Sequence, residues 1–84
     1  MDEKILDRLN KDFRSQVKVI KSNKYYFSKD DIRHDLDKVV RIYHHVLELE
    51  ADSKSEEAYK HSTLLTIRKY IREVSEEWKE LLNL

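Results

Sequence analysis

The chain has 84 residues, with 17 Lys or Arg balanced by 17 Asp or Glu, and it contains no Gly, Pro or Cys. Without Gly there is no phosphate-cradling loop, dinucleotide-binding turn or nucleophile elbow, and without Cys there is no thiolate zinc site or thiol catalysis. The neutral charge balance argues against a dedicated nucleic-acid binder, and a 39% hydrophobic content argues against disorder.

This length predicts a single domain whose core is one seam between helices, with no room for a deep enclosed pocket. No apolar run approaches the roughly 18 residues of a membrane span. The opening Met1-Asp2-Glu3-Lys4 is not the basic and then apolar start of a secretory signal, so cytoplasmic is the default location.

The first predicted helix covers about residues 2–22. Asp2 suits an N-cap, and Glu3 suits the positive end of the helix dipole. Ile5, Leu6, Leu9, Phe13, Val17 and Ile20 fall on one stripe at about 100° per residue. Lys4, Arg8, Lys11, Arg14, Lys18 and Lys21 fall on the other side, the pattern of a solvated face or of an electrostatic contact continued by Lys24. Asp7 and Asp12 dilute that stripe.

Asn23-Lys24-Tyr25-Tyr26-Phe27 is the clear break. Asn23 is suited to the left-handed backbone that usually falls to Gly at a helix end. Ser28-Lys29-Asp30-Asp31 reads as a capping box, with Phe27 and Ile32 as its hydrophobic staple. A second helix follows over about residues 29–51. Ile32, Leu36, Val39, Tyr43 and Val46 are spaced 4-3-4-3, and Val40, Ile42, Leu47 and Leu49 widen the apolar arc. An arc of about 200° predicts contact with a helix on each side.

Residues 52–56 form the second turn, with Ser53 and Glu56 as another capping box. The third predicted helix runs over about residues 54–83. Its seam is Leu64, Ile67, Ile71, Val74, Trp78 and Leu81, spaced 3-4-3-4-3. Short connections between long helices make neighbours antiparallel, so the predicted fold is an all-α, antiparallel three-helix bundle with a long C-terminal helix.

A third helix of about 45 Å would overhang a second helix of about 34 Å. That gathers Trp78, Leu81, Leu82 and Leu84 beside Tyr25, Tyr26 and Phe27 at one end, either as a small core or as an apolar patch for a partner. At the other end, Glu50, Glu57 and Lys60 interrupt the seam. The preferred reading is that the core stops there; the other is a Glu50–Lys60 pair.

Candidate chemistry is sparse. His44 and His61 stand at similar heights on adjacent helices with Glu48 and Glu57 near, a conceivable divalent-metal arrangement set against ordinary surface histidines. Asp30, Asp31, Asp35 and Asp37 at the start of the second helix are accounted for by its dipole. No metal, cofactor or catalytic residue is predicted, and the chain is expected not to be an enzyme. In size and helical content it resembles small regulators and immunity proteins of bacteria, archaea and phages, an architectural likeness that carries no function.

The leading expectation is a regulator, adaptor or inhibitor that binds another protein through Tyr25, Tyr26, Trp78, Leu81, Leu82 and Leu84. The alternatives are nucleic-acid binding through the basic stripe and the Lys/Tyr-rich segment 21–29, and a structural homodimer.

Overall fold

Local chemistry starts each helix where the side chains predict. Asp2 Oδ1 accepts from the Lys4 amide at 2.9 Å, and Ser28 Oγ accepts from the Asp31 amide at 3.3 Å. Ser53 Oγ accepts from the Glu56 amide at 3.2 Å, while Glu56 Oε1 reaches back to the Asp52 amide at 2.8 Å. These contacts satisfy amides that no earlier turn can reach. The computed structural model describes residues 2–23 and 28–79, and within them lie α1 (Glu3–Ser22), α2 (Lys29–Glu48) and α3 (Lys54–Glu77). Phe27, the partner of Ile32 in the predicted staple, lies outside the described residues.

The three helices pack as a bundle. α2 is the central element, contacting both α1 and α3 more extensively than those two contact each other. This is the consequence of its wide apolar arc. Ile32, Val39 and Val46 are fully buried, and Leu36, Ile42, Tyr43 and Leu49 pack around them. Facing them are Leu6, Leu9, Phe13 and Ile20 of α1 and Ile67 and Val74 of α3.

Several expected features differ. Ile5 is 46% exposed although it sits on the apolar stripe; it lies at the edge of that stripe, and Leu6 takes the inward position. Asn23 keeps a negative φ of −91°, so the end of α1 is not left-handed; its amide is shared between the carbonyls of Val19 and Ile20. α2 stops at Glu48 and not near residue 51, because Leu49 turns to extended backbone (ψ 131°) and packs on the core. α3 is regular to Glu77, Lys79 is helical again, and residues 80–83 of the predicted third helix lie outside the described residues. Trp78 turns out of helical geometry at φ −103°, ψ 22° while its ring packs against the core.

Lys60 is the clearest correction. It does not pair with Glu50; Glu50 and Glu57 are exposed, as expected where the core ends, while Lys60 is half-buried. Its half-buried ammonium donates to the Leu47 carbonyl at 3.0 Å and to the Leu49 carbonyl. A cation on α3 therefore closes the C-terminal end of α2, where unpaired carbonyls and the dipole favour positive charge.

Candidate functional site: a basic-rimmed groove between α1 and α3

The seam between α1 and α3 has two unlike halves. At the start of α1, it is a polar lock. Asn10 Nδ2 donates to Thr63 Oγ1 at 3.1 Å, to the Tyr59 hydroxyl at 3.3 Å and to the Leu6 carbonyl at 3.1 Å. Thr63 is buried, so this bond spares an enclosed hydroxyl from standing alone. The Tyr59 hydroxyl in turn donates to Asp7 Oδ1. That bond raises the Tyr59 phenol above its ordinary 10.0, assisted by burial and by the Asp7 charge, while the bond from Asn10 and the charge of Arg14 act against it.

Beyond the lock the two helices leave an open groove of about 580 Å³. Phe13, Val17 and Tyr70 form its apolar part, and the exposed Thr66, Arg14, Lys18, Lys21 and Lys69 stand around it with Glu73. Phe13 and Tyr70 meet edge to face, with ring centroids 5.6 Å apart and planes at 82°. A second hollow of about 360 Å³ shares Lys21, Tyr70 and Glu73 with the first and continues past Ile20 and Val74 to Glu77 and Trp78. Together they make one trough. From Thr66 to Trp78 it runs about 18 Å along α3, close to three helical turns.

Tyr70 lines both hollows, and its hydroxyl is buried without a hydrogen-bond partner among the described residues. Its phenol is raised above 10.0, first by burial and then by the charges of Glu77 and Glu73.

The predicted contact residues are redistributed. Lys4, Arg8, Lys11, Arg14, Lys18 and Lys21 are all exposed. Yet Arg14, Lys18 and Lys21 border the groove, so that half of the stripe does not lie simply opposite the core. Trp78 is half-buried at the far end of the trough. Tyr25, Tyr26, Leu81, Leu82, Leu84 and Lys24 lie outside the described residues. His44 packs edge-on against Tyr43 at 5.9 Å. Among the described residues His44, His61, Glu48 and Glu57 form no group able to hold a metal ion. No helix among them is long and apolar enough to cross a membrane.

Sequence reading missed Tyr59, Thr63, Thr66 and Tyr70. They form a 4-3-4 stripe beside the Leu64–Ile67–Ile71 seam, and that spacing was the available signal. The opposite flank of α3 is closed by Arg68, whose Nη2 donates to the Tyr43 hydroxyl at 2.7 Å and whose guanidinium carbon lies 5.9 Å from the ring centroid. Comparison of the chain with protein-family models, with curated proteins and with solved structures finds no match.

Proposed function

We propose that this protein is a small non-enzymatic helical module that regulates, adapts or inhibits another protein by binding it. The observation that carries the reading is the open α1–α3 trough, which joins an apolar, aromatic floor to a charged rim. Apolar anchors in a cleft supply affinity, and rim charges supply orientation and association rate. Trp78 lies at one end of the trough, so the proposed contact surface keeps this member of the apolar end patch and extends it towards Phe13 and Thr66.

Nucleic-acid binding is the weaker reading. The chain carries no net positive charge, whereas nucleic-acid binders usually carry a basic excess. Homodimerisation is the remaining alternative, separated by light scattering over a concentration series.

The test is site-specific photo-crosslinking in the native host. Photoreactive residues at Val17 and Thr66 should capture one protein partner, while the same probe at exposed Leu47 or Leu65 should not. Capture only from Leu47 or Leu65 would overturn the reading.

A further inference from the structure

We infer that the α1–α3 trough receives an amphipathic helix of the partner protein, acidic over the end of the trough at Arg14, Lys18 and Lys69. This rests on the proposed protein-binding role and specifies the chemistry of what binds. Three features point to it. First, α2 packs on both neighbours while α1 and α3 touch least, so the bundle has three helices around a position where a four-helix bundle places its fourth. Second, the trough is about three helical turns long and apolar along its floor, the form in which helix-in-groove recognition seats one apolar face. Third, its charge is graded. Arg14, Lys18 and Lys69 border one end, and Glu73 and Glu77 border the other with Lys21 between. An occupant with acidic residues over the first end and a basic residue over the second is complementary in one orientation only, and the reversed orientation places like charges together.

Tyr70 lines both hollows and so lies under the path of that helix.

The probe is a designed peptide of about 18 residues, long enough to hold helical structure, with one Leu face, Glu flanks in one half and Lys flanks in the other. Controls are a scrambled peptide of the same composition and a single-stranded DNA oligonucleotide. Amide chemical shifts of the full chain should move at Val17, Lys18, Thr66 and Tyr70 with the designed peptide and not with the scrambled one. Lys18→Glu with Lys69→Glu changes exposed residues only, and circular dichroism checks that it folds. The double variant should weaken binding at least about tenfold, and binding should return with a peptide that carries Lys flanks in both halves, since Glu73 and Glu77 still border the second end.

Equal binding of designed and scrambled peptides, no effect of the charge reversal, or DNA binding at these residues in place of peptide would overturn the inference. So would self-association that moves the same amides. Partner capture from Val17 together with failure of every helical peptide would overturn the acidic helix and leave the protein-binding role standing. Capture from Leu47 or Leu65 alone would remove both.

Discussion

The ring of Tyr70 meets the ring of Phe13 edge-on at 5.6 Å, a contact between α3 and α1 beyond the polar lock. The same tyrosine carries a buried hydroxyl without a partner among the described residues. Its ring and its oxygen therefore act in opposite directions on stability. Tyr70→Phe keeps the ring contact and removes the orphan oxygen, so the variant should be as stable as the parent or more stable by about 1 kcal/mol. Tyr70→Ala should cost about 3 kcal/mol through lost packing. Urea denaturation of both variants is the check. A loss above about 1 kcal/mol in Tyr70→Phe would show that the oxygen has a partner.

Asn10 and Thr63 form the opposite case, a polar pair satisfied across the seam. Asn10→Ala should cost about 1–3 kcal/mol, because it strips the buried Thr63 hydroxyl and the Tyr59 oxygen of their shared donor. Asn10→Ala with Thr63→Val should cost less than the sum of the single changes. A double-mutant cycle reads that coupling, and strict additivity would contradict the bond.

Two phenols make stability fall at alkaline pH. Tyr59 and Tyr70 are both raised above 10.0 in the native chain. A native group that holds its proton more tightly than the unfolded one contributes stability fully below its unfolded value and loses it as pH rises through its folded value. The window therefore opens above pH 10.0 for both residues. Denaturant midpoints measured across that range should drop less for Tyr59→Phe than for the parent. In a phenolate absorbance titration, Tyr59→Phe and Tyr70→Phe should each remove a late-titrating group.

Lys60 closes α2 from a different helix. Lys60→Met keeps much of the stem and removes the charge. It should cost about 1–2 kcal/mol, the scale of a charge-assisted hydrogen bond together with a dipole contact. Hydrogen exchange should locate the effect at the Leu49 amide, which bonds to the Val46 carbonyl at 3.2 Å. Exchange that rises evenly across all three helices would point to a general loss of packing instead.

Neighbouring Ile5 and Leu6 separate pattern from placement. Leu6 is fully buried and Ile5 is 46% exposed. Leu6→Ala should cost about 2–5 kcal/mol, whereas Ile5→Ala should fall within about 0.5 kcal/mol of the parent. Thermal melting of the pair reads the difference directly.

The caps at Asp2, Ser28 and Ser53 and the buried Ile32, Val39 and Val46 were legible in the chain. Each depends on neighbours within one or two helical turns, where spacing and side-chain type carry the information. The α1–α3 trough was not legible. Burial of Thr63, pairing of Asn10 with Tyr59 and the reach of Lys60 to Leu47 are decided by residues between 13 and 53 positions away. On a helical projection those four polar side chains read as surface, because hydropathy counts the cost of burying a polar atom and cannot count the distant partner that offsets it. Arg14, Lys18 and Lys21 likewise read as an outer face until the angle at which α3 packs sets them beside Lys69. Residue order and local periodicity thus establish three capped helices and their apolar stripes. The rotation and separation of those helices, which emerge from packing of the whole bundle, establish which charges meet and where a groove stays open.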